Sequence, residues 1–335
     1  MAGIKDVAKL AGVNQAIVSR VVNHDKTLTI RDSTRERVLW AIEELDYRPD
    51  MLGRNLRARS TQTLGAFIPD IINPYFAELL AGVECAAQER DYHVVFFHTG
   101  ESPKKEKELI RTALEYHVDG FIIASATLEN NLLEVLDEKQ KPYVLVHRKF
   151  DGSSGCYIGA DDEKGIRLVV EHLADLGHQR IAYVSDQDNT FSGQQRKNAF
   201  IQTMQELGLS VRDEHIISGG NRLDDGYNAA LMLLEQALPP TAIVNYNDIL
   251  AVGAINAALA RGLRIPEDIS IVGFDDIWMA SQMHPPLTTV QVSIRELGYT
   301  ATNTLISMLK HPGVNKKEII TDVQLVVRKS TGPCS

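Results

Sequence analysis

Short apolar runs alternate with amphipathic segments along most of the chain, from Leu64 onward. Bounded apolar runs of this length predict buried β-strands. A first set is predicted at Leu64–Ile68, Val94–Phe97, Phe121–Ala124 and Tyr143–Val146. A second set is predicted at Ile181–Ser185, His215–Ile217, Ala242–Asn245 and Ile269–Phe274.

The segments between these runs have the apolar spacing of helices. They are predicted near Phe76–Arg90, Lys105–Tyr116, Leu132–Lys139, Glu163–Leu176, Gln194–Leu207, Gly226–Gln236 and Ile249–Arg261. Regular alternation of strand and helix predicts parallel sheets with helices on both faces, an α/β fold. Because the pattern occurs as two sets, we expect two similar lobes with a cleft between them.

The first 45 residues have a helical pattern instead. One face of the first predicted helix carries the apolar residues Ile4, Val7, Ala8 and Ala11. Gly12 follows, where a helix often ends in a left-handed conformation, and Asn14 is suited to cap a second helix over Gln15–Asn23. A third helix is predicted over Asp32–Leu45.

Two short helices joined at a glycine-containing turn are typical of a helix-turn-helix, whose second helix enters the major groove of DNA. Here this helix is predicted to bury Val18, Val21 and Val22 and to present Gln15, Ala16, Ser19 and Arg20 outward. An αα-hairpin without a role in DNA binding has the same pattern. The helical spacing alone leaves both interpretations open.

The distribution of charge along the chain favours the DNA-binding interpretation. The chain has 335 residues and a net charge of -9, but residues 1–60 carry 11 Lys+Arg and 8 Asp+Glu, a net of +3, and the remainder has a net of -12. A basic segment on an acidic body is expected when only that segment contacts phosphates.

The chain lacks a long apolar run or a signal-peptide pattern, and its three cysteines are widely spaced. We therefore expect a cytoplasmic protein without membrane contact, a disulfide framework or a metal site.

Polar and aromatic residues follow the predicted strands, at the sheet edge where ligands of parallel sheets bind. The candidate effector-binding residues are Asp70, Tyr75, Phe76, His147, Arg148, Arg196, Asn247 and Asp275. Carboxylates, amides and arginines provide paired hydrogen bonds for hydroxyl groups, and aromatic rings provide a flat face, as a sugar requires. Each residue alone is equally typical of a surface loop, but the set as a whole predicts a sugar-like effector.

The order of residues in the N-terminal segment resembles the lactose-repressor (LacI/GalR) family. The motifs that match are Ile4–Val13, Val18–Asn23, Thr34–Val38 and Tyr47–Pro49. The resemblance implies DNA contacts by Gln15, Ala16, Ser19, Arg20, Asn23, Leu56 and Arg57. It also implies a hinge helix over residues 50–60, in which Leu56 would wedge between base pairs of the minor groove. A solvated linker in free protein is compatible with this, since so short a helix would order on DNA.

The body resembles the effector core of the same family, which is similar to periplasmic sugar-binding proteins. Its matching motifs include Pro69–Phe76, Leu176–Ala182, Val272–Asp276 and Pro286–Val290. The resemblance implies four segments. They are a helix-turn-helix head over 1–49, a hinge over 50–60, an N-terminal lobe over 61–160 with 291–321, and a C-terminal lobe over 161–290 with 322–335.

Several positions depart from the family pattern. Ile17 replaces a threonine that often contacts phosphate. Arg31 and Asp46 replace a capping serine and a helix-ending glycine, and Gly53 replaces a hinge alanine at a cost of up to about 1 kcal/mol. His147 and Val292 stand where an aspartate and a glutamine are common, so we expect an effector that differs from an ordinary hexose. His147 is equally compatible with a hydrogen-bonded wall of the pocket.

The sequence contains no phosphate-binding loop, dinucleotide fingerprint, nucleophile elbow or zinc motif. We therefore expect no enzyme, no cofactor and no metal. The prediction is a repressor of carbohydrate-utilisation genes that binds a near-palindromic operator in double-stranded DNA as a homodimer and is switched by a sugar-like effector. Two alternatives remain: the same architecture with a nucleobase or phosphoprotein corepressor, and a transport-type sugar-binding protein.

Overall fold

A computed structural model describes the chain as two compact units, Met1–Thr61 and Gln62–Ser335. Among the described helices, none has the length and apolar character that crossing a membrane requires. The described residues are 2–22, 25, 27–47, 60–125, 132–149, 155–186, 190–311 and 317–334. The predicted hinge over 50–60 therefore lies, except for Ser60, outside the described residues.

The first unit, the head, contains helices α1 (Ile4–Ala11), α2 (Gln15–Val22) and α3 (Asp32–Glu44). Gly12 ends α1 with φ +68°, the left-handed conformation that glycine adopts at little cost. The Asn14 side chain begins α2 by accepting a hydrogen bond from the Ile17 amide at 2.9 Å. The core of the head comprises Val7, Ala8, Ala11, Val18, Val21, Leu28, Val38 and Ala41.

Two departures from the family pattern affect the third helix of the head. Arg31 precedes α3 without a side-chain capping bond, so this helix begins unassisted at Asp32. Asp46 adopts φ +41° beyond its end, the left-handed region in which a glycine would be unstrained.

The first sheet of the core has the strand order β11-β5-β4-β3-β1-β2, and its paired strands are parallel. The strands are β1 (Thr63–Ile68), β2 (His93–His98), β3 (Gly120–Ile123), β4 (Tyr143–Val146), β5 (Cys156–Ala160) and β11 (Glu318–Thr321). The helices of this N-terminal lobe are α4 (Pro74–Gln88), α5 (Pro103–Glu115), α6 (Leu132–Glu138) and α11 (Ile294–Lys310).

The second sheet has the order β12-β10-β9-β8-β6-β7 and is parallel except for the β10–β12 pair. Its strands are β6 (Ile181–Ser185), β7 (Ile216–Ser218), β8 (Ala242–Asn245), β9 (Ser270–Asp275), β10 (Thr288–Gln291) and β12 (Gln324–Val326). The helices of this C-terminal lobe are α7 (Asp162–Asp175), α8 (Phe191–Glu206), α9 (Leu223–Leu234) and α10 (Asp248–Ala260). The predicted α/β class with two lobes is confirmed.

The chain passes between the lobes at residue 161, at residues 292–293 and at residues 322–323. The third passage joins β11 in the first sheet to β12 in the second. The N-terminal lobe is therefore completed by the C-terminal part of the chain.

Two strands predicted as buried are exposed in part. Val95 and Phe96 of β2 are 45% and 54% exposed, and β7 has no fully buried residue. Both strands lie at the edge of their sheet, where one side lacks a neighbouring strand. An apolar run predicts a strand but not its position in the sheet, so the prediction of burial was wrong for both.

Helices α4 and α11 approach each other through two glycines. A Cβ on Gly82 would lie 2.0 Å from the Arg295 carbonyl oxygen, and a Cβ on Gly298 would lie 2.1 Å from the Leu79 carbonyl oxygen. Close contact with α11 thereby fixes α4, whose first residues reach the cleft.

We expect Gly82→Ala to lower the free energy of unfolding by about 1–3 kcal/mol, because an overpacked site forces the backbone to shift. Urea unfolding of the full chain measures this effect. Ser307→Ala, at an exposed position of α11, is the control and should change stability by less than about 0.5 kcal/mol. Equal stabilities of the two variants would contradict close packing at Gly82.

Candidate functional site

The cleft between the lobes lies at the carboxyl ends of the parallel strands. Its described lining residues come from both lobes: Asp70, Asn73, Tyr75, Phe76, Glu101, His147, Arg148, Asn221, Tyr246, Asn247 and Asp275. Asn221 donates a hydrogen bond to Glu101 at 2.8 Å, and the Tyr246 hydroxyl lies 3.4 Å from His147 Nε2, so residues of the two lobes are in direct contact. The structure therefore shows the cleft closed.

One wall of the cleft is aromatic. Asn73 caps α4 by accepting a hydrogen bond from the Tyr75 amide at 3.0 Å, with Pro74 as the first helical residue. This start places Tyr75 and Phe76 in contact, with ring centroids 5.2 Å apart. The Tyr75 ring also lies 4.7 Å from the His147 ring. These three rings form a surface that a sugar or another flat ligand could contact.

His147 departs from the family pattern and occupies a strained position. Its φ is +64°, and its side chain is buried with Nε2 3.4 Å from the Tyr246 hydroxyl. Burial, followed by the positive charges of Arg196 and Arg148, holds the pKa of His147 well below its usual value. The imidazole is therefore neutral at physiological pH and provides one donor and one acceptor.

Arg148 joins the two lobes through carboxylates. Its Nη1 and Nη2 donate to Glu101 in the N-terminal lobe at 2.9 and 3.1 Å, and its Nη2 lies 3.8 Å from Asp186 of the C-terminal lobe. Asn221 of the C-terminal lobe donates to the same Glu101 at 2.8 Å. Arg148 Nε is buried without a hydrogen-bond partner.

Arg196 lies behind the cleft wall and is not among the lining residues. Its side chain is 1% exposed, and it donates to Asp162 at 2.7 Å and to the Tyr246 carbonyl at 2.6 Å. The guanidinium carbon lies 3.5 Å from the centroid of the Phe274 ring. Arg196 thus holds the wall in place, and it reaches the cleft through Asp275, 3.5 Å from its Nη2.

Asp275 ends β9 with a φ of +113°, a conformation that is costly for a residue with a side chain. Burial raises the pKa of Asp275 to about 7, an effect that nearby Arg196 opposes and the charge of Asp162 increases. Its Oδ1 is buried and makes no hydrogen bond of ordinary geometry within the protein. The carboxyl group keeps capacity to accept a hydrogen bond from a ligand.

This pKa predicts a pH-dependent stability. The folded state binds the Asp275 proton more tightly than the unfolded state does. The contribution of this proton to the free energy of unfolding is therefore complete below about pH 4 and is lost as the pH rises towards 7. Asp275→Asn cannot lose a proton. As the pH rises through this range, we expect the free energy of unfolding of the wild type to fall relative to that of the variant by up to about 1.4 kcal/mol per pH unit.

Urea unfolding at pH 5, 6, 7 and 8 measures the difference between Asp275→Asn and the wild type. Asp224→Asn removes an exposed carboxyl on α9 and controls for the substitution itself. A difference that is constant between pH 5 and 7 would show that Asp275 ionises normally.

Two further cleft residues were predicted from the sequence. Asp70 follows β1, is half-buried, and accepts a hydrogen bond from the Ile72 amide at 2.9 Å. Asn247 is buried and caps α10 by accepting from the Leu250 amide at 2.9 Å. The structure therefore brings Asp70, Tyr75, Phe76, His147, Arg148, Asn247 and Asp275 together at the cleft, with Arg196 behind them.

Besides Asn73, which caps α4, three lining residues were missed: Glu101, Asn221 and Tyr246. They follow β2, β7 and β8, at the same edge of the sheets as the residues that were found. Applying the strand-end rule to every predicted strand would have found all three.

The candidate DNA-contacting face is on α2. Gln15, Ala16 and Arg20 are exposed and Ser19 is half-buried. Asn23, Leu56 and Arg57 lie outside the described residues. The face therefore presents the residue types that pair with bases in the major groove.

Arg20 is held in place within the head. Its Nε donates to Asp25 at 2.7 Å and its Nη2 donates to the Thr27 hydroxyl at 2.9 Å. The Thr27 hydroxyl and amide in turn donate to Asp25 at 2.7 and 2.8 Å. Hydrogen bonds from Thr27 and Arg20 lower the pKa of Asp25 to about 2, so it is ionised at physiological pH.

Two family descriptions match the chain. "Bacterial regulatory proteins, lacI family" matches residues 3–50, and "Periplasmic binding protein-like domain" matches residues 170–331. The "HTH-type transcriptional repressor PurR" of Vibrio vulnificus is 34% identical over 329 residues, covering 98% of each chain.

Solved structures agree with these matches. The Lac repressor dimer bound to operator and the anti-inducer ONPF superimposes with a TM-score of 0.89, at 28% identity and 99% coverage of both chains. A complex of the transcriptional regulator CelR with cellobiose superimposes with a TM-score of 0.76, at 27% identity, covering 98% of this chain and 100% of CelR. Head and core thus match together over nearly the whole length.

Proposed function

The chain belongs to the LacI family of bacterial regulatory proteins, and we propose that a sugar or sugar derivative binds in its cleft and sets the affinity of its head for operator DNA. As a member of this family it is a DNA-binding transcriptional repressor and not an enzyme. Family membership also argues against the alternative of a transport-type sugar-binding protein.

Two buried polar atoms at the cleft, one donor and one acceptor, support the proposal of a sugar ligand. Arg148 Nε is a buried donor without a hydrogen-bond partner. Asp275 Oδ1 is a buried acceptor whose contact within the protein is the ion pair with Arg196 Nη2 at 3.5 Å, too long for a hydrogen bond of ordinary geometry. Such atoms are costly unless a ligand satisfies them. A hydroxyl group both donates and accepts, so a molecule with several hydroxyls suits both atoms. CelR, which is similar over its whole length, has cellobiose as its ligand.

The cleft also supplies a two-state element for regulation. Direct contacts across the closed cleft join Asn221 to Glu101 and Tyr246 to His147. An effector that enters between these residues must replace those contacts, and thereby changes the relative free energy of the open and closed states. An effector that binds one of the two states more tightly increases the population of that state. The protein then shows the operator affinity of the state that the effector stabilises.

The head would act as one of two copies. We propose that a homodimer binds a near-palindromic operator, since paired recognition helices require paired half-sites. Gln15, Ala16, Ser19 and Arg20 would contact DNA, and carbohydrate-utilisation genes would be the target. The Lac repressor that superimposes with this chain is a dimer bound to operator.

A nucleobase corepressor is the second candidate. The rings of Tyr75, Phe76 and His147 offer a flat face against which a planar base could stack. A base also has N–H donors and ring-nitrogen acceptors that could meet Asp275 Oδ1 and Arg148 Nε. We place the sugar first because the similar regulator CelR forms a complex with cellobiose.

Titration of effectors against operator affinity tests the proposal. An operator is first selected from random DNA with the purified full chain, and fluorescence anisotropy then measures its affinity with neutral sugars or nucleobases added. We expect at least one sugar to change operator affinity at least fivefold. A response to hypoxanthine or guanine alone would support the second candidate, and a response to neither class would overturn the proposed site.

A further inference from the structure

Carboxylates surround the arginine that reaches the cleft. Arg148 is 3% exposed, and Glu101 accepts two hydrogen bonds from its guanidinium while Asp186 lies 3.8 Å away. A guanidinium paired in this fork geometry has its charge compensated and two of its nitrogens occupied. Of the three guanidinium nitrogens, Nε has no hydrogen-bond partner, and Nη1 and Nη2 each use one N–H on Glu101.

Among the described residues at the cleft, acidic side chains outnumber basic ones. The described acidic residues at or beside it are Asp70, Glu101, Asp186 and Asp275, of which Asp275 is only partly ionised near neutral pH, and the described cation among the lining residues is Arg148. Arg196 behind the wall is committed to Asp162 at 2.7 Å. Among the described residues, an entering anion would therefore meet negative charge without an uncompensated arginine or lysine to bind it.

From these contacts we infer that Glu101 is a specificity residue, which makes the cleft select an uncharged polyol over its phosphate or carboxylate derivative. Glu101 does so by occupying the fork of Arg148, the group that would otherwise bind an anionic oxygen pair. The inference rests on the proposed function for its polyol ligand. The rejection of anions rests on the contacts of Glu101 and Arg148 alone.

The same contacts predict how the selection can be reversed. In Glu101→Gln the side chain keeps its shape and one oxygen, so it can still accept a hydrogen bond from Asn221. It loses the negative charge and the second acceptor, and the charge of Arg148 is then compensated only by Asp186 at 3.8 Å. The variant should therefore gain affinity for anions and keep most of its affinity for a neutral sugar.

Isothermal titration calorimetry of the full chain tests this with inorganic phosphate and with matched pairs: D-glucose with glucose 6-phosphate, and D-ribose with ribose 5-phosphate. For wild type we expect any neutral sugar that binds to do so at least tenfold more tightly than its ester, and phosphate to bind undetectably. For Glu101→Gln we expect the ester-to-sugar affinity ratio, and the affinity for phosphate, to rise at least tenfold. Glu108→Gln, on the exposed face of α5, removes the same charge away from the cleft and should change neither.

The outcomes separate the two proposals. If wild type binds an ester as tightly as its sugar, or if Glu101→Gln gains no phosphate affinity while its circular dichroism spectrum is unchanged, the role of Glu101 is overturned and the sugar effector stands. If neither sugars nor esters bind, the proposed function fails. Gain of phosphate binding by Glu101→Gln but not by Glu108→Gln then still supports the role of Glu101.

Discussion

Replacing Arg196 by alanine is expected to lower the free energy of unfolding by about 3–5 kcal/mol, because it leaves the buried Asp162 without its cation. It also removes the hydrogen bond to the Tyr246 carbonyl and the contact with the Phe274 ring. Denaturant unfolding measures the loss. Since Tyr246 and Asp275 line the cleft, we further expect the variant to lose its effector response at temperatures where it remains folded.

An exposed ion pair supplies the control. Arg167 pairs with Glu206 at 2.6 Å and is 34% exposed, so Arg167→Ala should cost no more than about 1 kcal/mol. A second variant, Arg196→Met with Asp162→Asn, removes both buried charges at similar volume and should recover much of the stability. If Arg196→Ala cost no more than Arg167→Ala, the buried cluster would not stabilise the fold as we infer.

The second large effect is expected in the head. Arg20→Ala should reduce discrimination between the selected operator and unrelated DNA by about 1–3 kcal/mol, roughly 5- to 150-fold, because the proposed bidentate contact of Arg20 to guanine would be lost. Fluorescence anisotropy with both DNAs at one salt concentration measures the ratio. An unchanged ratio would show that Arg20 does not read a base.

Two further variants separate base recognition by Arg20 from phosphate contact and from ordering of its side chain. Arg37→Ala, exposed on α3, should weaken binding to both DNAs alike and reduce the salt dependence by about one ion. Asp25→Ala releases the guanidinium that Asp25 and Thr27 hold. It should lower discrimination by less than Arg20→Ala does, because the arginine is still present but must be ordered upon binding.

The fold class could be predicted because burial on both faces of a parallel sheet produces apolar runs that a sequence shows directly. The boundaries of several helices could not. Helix α8 begins at Phe191 and not near Gln194, because Thr190 caps it by accepting from the Gly193 amide at 3.1 Å. The apolar spacing that predicts a helix is set by its packed face and contains no information about such a cap.

The site could be predicted only in part, for a similar reason. Strand ends identified Asp70, His147 and Asp275 because each follows an apolar run. That Arg196 lies behind the wall, and that Arg148 is paired with Glu101, depend on side-chain contacts between residues 34 or more positions apart. One sequence does not specify such pairs.

The passages between the lobes have a consequence for synthesis of the protein. The N-terminal lobe has five of its strands in place by Ala160, but β11 and α11, which complete it, are translated as much as about 160 residues later. At 5–20 residues per second this delay is roughly 10–30 s. During that time the β5 edge is unpaired and the glycine face of α4 is uncovered on the ribosome. The nascent chain therefore passes through a stage at which it is open to chaperone binding and aggregation, while the head, translated first, is already able to fold.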